Sequence, residues 1–138
     1  MNRNTGVTET VSMKTTILIV DDHELFRDGL KQLLSCESDM EVVGEAKNGQ
    51  ESIPLARSLQ PDVILMDVKM PVMDGIEATR RILSEMPGMK ILALSMYSGD
   101  GFNAGMLQAG AQGYILKGGD IVDLLAEIRK VAGPRIRR

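Results

Sequence analysis

The sequence contains no tryptophan, one cysteine and one histidine among 138 residues, and aromatic side chains make up only 3% of it. A single cysteine, Cys36, excludes an internal disulfide and points to a reducing, cytoplasmic setting. Without tryptophan there is no indole whose fluorescence would report a conformational change. No apolar run approaches membrane-spanning length, so no membrane association is expected. The opening stretch, MNRNTGVTETVSMK, lacks the apolar core of a signal peptide, and residues 1–14 read as a flexible leader. There is no large excess of charge: the formal net charge of −3 is not that of a polycation built to coat nucleic acid, and direct nucleic-acid binding is not expected. No internal repeat is present. Gly133-Pro134 ends the last helical pattern, and Arg135, Arg137 and Arg138 follow, so residues 133–138 read as the start of a linker or as a solvated basic tail.

What remains is an ordinary globular composition, 43% hydrophobic and 25% charged, in a chain long enough for one buried core. Short apolar runs alternate with helix-like segments. Thr16 to Val20 is a β-branched run that stops at Asp21-Asp22, as suits a strand covered on both faces. Glu24 to Ser35 carries Leu25, Phe26, Leu30, Leu33 and Leu34 at helical spacing. Met40 to Glu45 reads as a second strand. Pro54 should break a helix begun at Gly49, so the spacing predicts a late start with Ser52 as N-cap and an end near Gln60. Val63 to Met66 is a third strand ending at Asp67. Asp74 caps a helix through Met86, with Ile76, Ile82 and Leu83 inward. Lys90 to Leu94 ends at Ser95, and Gly113 to Leu116 ends at Lys117. Asp120 caps a last helix with Ile121, Leu124, Leu125 and Ile128 on one face. Alternating strands and helices predict an α/β fold with a parallel sheet and helices on both faces. Functional residues then belong in the crevice at the carboxyl ends of the strands, where Asp21, Asp22, Asp67, Ser95 and Lys117 all stand.

Three convergent carboxylates repel one another, and a hard divalent cation such as Mg²⁺ relieves the repulsion. Taken alone, Asp21-Asp22 is more readily a helix cap than a metal site. Lys117 suits a phosphoryl oxygen as a compact charge, and alone it is an ordinary surface lysine. Ser95 can donate its hydroxyl to a second phosphoryl oxygen, and alone it is a turn former. Together the set describes a phosphoryl-transfer site in which Asp67 is the nucleophile.

The segments ILIVDDHELFRDGLKQLL, PDVILMDVKMPVMDGIEA, ILALS and GAQGYILKG, with the last helix, closely resemble the receiver domain of two-component response regulators over about residues 15–132. Their style is similar to the NarL/FixJ (LuxR-type) subfamily. The resemblance implies a flavodoxin-like (CheY-like), doubly wound, five-stranded parallel sheet of order 2-1-3-4-5 with five helices. It implies Asp67 as phosphoacceptor, Asp22 as a direct magnesium ligand, Asp21 acting mostly through water, and the backbone carbonyl of Lys69 as a further ligand. It implies Ser95 and Lys117 on the phosphoryl group and Tyr114 as the aromatic switch, although spacing alone makes Tyr114 a half-buried core aromatic. The implied partners are a sensor histidine kinase, a C-terminal DNA-binding output domain that this chain lacks, and a second copy in a phosphorylation-dependent homodimer. The chain would be a phosphoacceptor, not an enzyme acting on external substrates.

The sequence departs from the family in two places. Lys117 is followed by Gly118 and Gly119 where receivers usually have Lys-Pro, which frees the backbone and leaves Lys117 less firmly fixed. Met96 stands after Ser95 where a small residue is usual. His23 reads as a surface residue and not a ligand. Half of the 14 glycines fall within 99–119, so the fourth helix is expected to be the least stable, with Met106, Leu107 and Tyr114 forming a surface that phosphorylation remodels. Other classes fit less well. An aspartyl-phosphate phosphatase needs an acid where Lys69 stands, and a nucleotide-binding module needs a glycine-rich loop where Asp-Asp-His-Glu stands. A degenerate receiver that binds partners without phosphorylation is the remaining alternative.

Overall fold

A computed structural model describes residues 14–96 and 101–134, excluding the side chains of residues 101 and 102. The proposed leader and basic tail lie essentially outside the described residues. Five strands alternate with five helices: β1 (Thr15–Val20), α1 (Glu24–Ser35), β2 (Met40–Ala46), α2 (Gly49–Leu59), β3 (Val63–Asp67), α3 (Gly75–Glu85), β4 (Lys90–Ser95), α4 (Gly101–Ala109), β5 (Gly113–Leu116) and α5 (Ile121–Ala132). The strands form one parallel sheet in the order β2-β1-β3-β4-β5, as expected.

Strand alternation divides the core into two layers. Ile17, Ile19, Leu65, Leu92 and Leu94 face α1 and α5, where Leu30, Leu34, Leu124 and Ile128 meet them. Leu18, Val20, Ile64, Met66, Ile91 and Ala93 face α2, α3 and α4. The two layers differ in kind. The second holds Met66, Met89 and Met106 fully or nearly buried, with Met70, Met73 and Met86 packed against them. The first holds Met40 and otherwise branched aliphatics. At the amino end of the sheet a clamp joins β1 to the start of β3. Asp62 Oδ2 accepts from Thr16 N and Thr16 Oγ1, at 2.8 and 3.0 Å, and Asp62 N donates back to Thr16 Oγ1 at 2.9 Å.

Three helices start where a side chain accepts a free N–H: Asn48 from Glu51 N, Asp74 from Glu77 N and Asp120 from Val122 N. The first of these corrects the expected late start of α2. Asn48, not Ser52, is the N-cap, and Pro54 lies inside the helix. The early start is favoured because the Glu51 carboxylate also accepts from Lys47 N, so two unpaired donors are satisfied at once. Ser52 is buried and donates its hydroxyl to Gly49 O at 2.6 Å. In α1 only Leu30 and Leu34 are buried, while Leu25 is 86% exposed. In α4, Met106 is fully buried and belongs to the core, not to the expected surface with Leu107 and Tyr114.

Pro54 denies Gln50 O its helical donor. Pro54→Ala should restore that bond and stabilise the protein by about 2 kcal/mol, the propensity gain less the lost rigidity of the unfolded chain. Urea unfolding checks this as a higher midpoint at unchanged slope, and an unmoved midpoint would show that α2 absorbs the proline without penalty.

Candidate functional site

Strand register assembles the site. Val20 pairs with Met66, so the next residues, Asp21 and Asp67, leave neighbouring strands side by side. Asp67 pairs with Leu94 and Ser95 pairs with Leu116, which brings Ser95 and then Lys117 to the same end of the sheet. Five residues from four strand ends thus converge, as the sequence predicts for Asp21, Asp22, Asp67, Ser95 and Lys117.

The centre of the arrangement is Lys117. Its side chain is only 6% exposed, and Nζ lies 2.7 Å from Asp21 Oδ2 and 3.5 Å from Asp67 Oδ1. The same ammonium sits 4.8 Å from the centre of the Phe26 ring. The expected looseness of Lys117 is therefore not what the structure displays. Two carboxylates and an aromatic face hold the side chain, while Gly118 turns the backbone behind it with φ +75°, a conformation closed to proline.

Asp21 is fully buried. Its Oδ1 accepts from His23 N at 2.8 Å, and its own N–H donates to Ala46 O at 3.0 Å. Arg27, from α1, donates to the Asp21 carbonyl and pairs with Glu45 at 2.9 Å, tying the first acid to β2. Asp67 Oδ1 accepts from Val68 N at 2.9 Å, whereas Asp67 Oδ2 is buried without a hydrogen-bond partner. Burial and the neighbouring Asp21 charge push the Asp67 carboxyl up to about 7, against the opposing pull of Lys117. Asp22 is more open, with 30% of its side chain exposed. One oxygen from each of the three acids, and a His23 ring nitrogen, lie within 4.8 Å of one another. His23 is exposed, as read from the sequence, yet its Nδ1 turns toward the acid pair.

Several neighbours were not foreseen. Arg27 and Phe26 act across elements, and nothing in a single sequence pairs them with Asp21 and Lys117. Gly75 is the third. Its N–H donates to Val68 O at 2.7 Å, and a Cβ at that position would overlap the Asp67 carbonyl. The first residue of α3 must be glycine for the helix to approach the nucleophile's strand so closely. Val72, in the loop between them, has φ +72°, a strained conformation for a β-branched side chain. The remaining expected residues lie at the end of β4 and on β5. Ser95 is 3% exposed, Met96 beside it is 63% exposed, and Tyr114 is 38% exposed on β5.

A model of the response regulator receiver domain matches residues 17–129. The chain belongs to that family. Response regulator GacA of Pseudomonas viridiflava is 46% identical over 120 residues, covering 86% of this chain and 56% of that protein. The transcriptional regulatory protein DegU of Brevibacillus brevis is 40% identical over 119 residues, covering 86% and 50%. The receiver therefore spans about half the length of the curated relatives it matches. Among solved structures, a LuxR-family two-component response regulator from Aurantimonas sp. SI85-9A1 superposes with a TM-score of 0.81 at 36% identity, covering 88% of both chains. The response regulator domain of Thermotoga maritima CheB gives 0.79 at 32% identity, covering 86% of this chain and 96% of that one. These relatives place the receiver in the NarL/FixJ subfamily. No helix among the described residues is long and apolar enough to cross a membrane.

The raised Asp67 pKa has a defined sign. A carboxyl that holds its proton more tightly when folded adds its full stability below its unfolded pKa, near 3.8, and loses it as pH rises to about 7. In metal-free buffer Asp67→Asn should be more stable than wild type at pH 8, by about 2 kcal/mol once Lys117 and residual solvent are allowed for. The gap should close toward pH 4, where other carboxylates affect both proteins alike. Paired urea titrations across this range check it, and a gap that widens on acidification would contradict the assignment.

Proposed function

We propose that this chain is the phosphoacceptor module of a two-component response regulator, with Asp67 the residue phosphorylated. The observation that carries the reading is the Asp67 carboxylate itself. It is buried at a strand end between Asp21 and Lys117, with one oxygen left without a hydrogen bond. The donor of the phosphoryl group is a phosphohistidine of a sensor kinase. An Asp67 oxygen forms the new P–O bond in line with the breaking P–N bond, and the departing imidazole nitrogen keeps that electron pair.

The residues present suit Mg²⁺. They offer hard carboxylate oxygens, an orphaned buried oxygen and mutual repulsion that a dication relieves. Asp22 and Asp67 would hold it directly, Asp21 mostly through water, and the Lys69 carbonyl would complete the protein's share. When bound, Mg²⁺ supplies positive charge against the transferring phosphoryl oxygens and favours the ionised, nucleophilic form of Asp67. Lys117 exchanges its contact with Asp67 for a phosphoryl oxygen while Asp21 keeps hold of it. Ser95 donates its hydroxyl to another, and Tyr114 turns toward the space Ser95 vacates. Uptake and slow hydrolysis of the acyl phosphate are self-catalysed, and no external substrate is turned over.

The receiver spans residues 15–132, works in the cytoplasm, and passes its state to a DNA-binding output domain or to a second copy. The name of the relative DegU, a transcriptional regulatory protein, supports the transcriptional output.

Acetyl phosphate with Mg²⁺ should add one phosphoryl mass to wild type, labile to hydroxylamine. Asp67→Asn and a magnesium-free sample should show none. A folded wild type that takes up no phosphoryl group from acetyl phosphate or from a histidine kinase, and does not bind beryllofluoride, would leave a phosphorylation-independent receiver. A second expectation concerns Met96, exposed beside Ser95. Met96→Ala should open the acyl phosphate to water and speed its decay about threefold, on the order of the 0.7 kcal/mol that such a factor represents. Equal decay of the two phosphoproteins removes that role.

A further inference from the structure

His23 follows the acid pair at the N-cap of α1, where its side chain makes no capping bond. Its side chain is 66% exposed, yet Nδ1 stands 3.1 Å from Asp21 Oδ1 and 3.4 Å from Asp22 Oδ1. Two ligands on one ion at bond lengths of about 2.1 Å are about 3.4 Å apart in a tetrahedron and about 3.0 Å apart when cis in an octahedron. The two His23 separations, 3.1 and 3.4 Å, fall in this range, and the set of four lies within 4.8 Å, slightly wider than one ion spans, so the ligands would close on it. A second observation points the same way. Asp67, 6% exposed, keeps a buried carboxylate oxygen with no hydrogen bond inside this cluster.

We propose that His23 is a nitrogen ligand of the acidic centre and shifts its preference from Mg²⁺ toward a borderline dication such as Zn²⁺. The inference rests on reading the three acids as a metal centre. Mg²⁺ prefers oxygen and gains little from imidazole, whereas Zn²⁺ binds imidazole nitrogen well. Ligation needs Nδ1 unprotonated, with the ring proton on Nε2, which is the solvent-facing alternative to an Nδ1–H bond to Asp21. The centre would then accept two classes of ion with different ligand sets: oxygen alone for Mg²⁺, oxygen plus His23 for Zn²⁺. A zinc-loaded receiver would have its acid pair and Asp67 occupied by an ion held one ligand more tightly.

The chain's one histidine makes the test direct, because every imidazole ¹⁵N signal comes from His23. A Cys36→Ser background removes the exposed thiol at the other end of α1 as a competing zinc ligand. Titration with Zn²⁺ should move the Nδ1 resonance saturably, titration with Mg²⁺ should not, and Asp67→Asn should weaken the zinc response at least tenfold. By calorimetry, His23→Ala should raise the Zn²⁺ Kd at least tenfold and the Mg²⁺ Kd less than twofold. Zinc binding with Nδ1 unmoved, equal losses for both ions, or a zinc response unchanged in Asp67→Asn would each overturn the proposal. Failure of wild type to bind Mg²⁺ at all would instead sink the metal centre on which it rests, and uptake of phosphoryl mass separates that result from the phosphoacceptor reading.

Discussion

The functional end of this molecule depends on one balance, the repulsion between buried carboxylates against the single ammonium of Lys117. Asp21 and Asp67 are both taken out of water, and the Asp21 charge makes the ionisation of Asp67 less favourable. Lys117 offsets part of that, lying closer to Asp21 than to Asp67. The asymmetry matters chemically. The acid held more closely by lysine is fixed in place, and the acid held less closely retains an oxygen for reaction. Removing the lysine would take away the strongest pull against the upward push on Asp67 and favour its protonated, unreactive form.

That balance exists only because the sheet is in register. A one-residue slip of β3 against β1 would carry Asp67 away from Asp21 and turn the core residues of β3 to the wrong layer. Core packing therefore enforces the geometry of the site. The Thr16–Asp62 clamp fixes the opposite end of the same two strands, and Gly75 lets α3 close against the carbonyl of Asp67.

Much of this was legible in the sequence, for a definable reason. Strand ends are marked by abrupt changes from apolar to polar residues, and in a parallel α/β fold every such end points to one crevice. Asp21, Asp22, Asp67, Ser95 and Lys117 could be placed together without knowing any distance. Contacts between elements could not. Phe26 under Lys117, Arg27 on the Asp21 carbonyl and the inward turn of the His23 ring depend on how α1 lies across β1 and β2. Pro54 taken alone argues for a late start to α2, but Asn48 and Glu51 together satisfy enough donors to begin the helix earlier. Met106 was misplaced because α4 carries too weak a polar-apolar pattern to orient by sequence; burial against Thr79 decided it.

The two core layers have unequal mechanical character. Branched aliphatics beneath α1 and α5 have few rotamers, and their packing resists displacement. The thioethers beneath α2, α3 and α4 turn about three bonds and fill altered space at little expense. A push originating at the strand ends meets a stiff backing on one side and a yielding one on the other. The layer beneath α2, α3 and α4 is therefore the one whose packing can re-form at least expense.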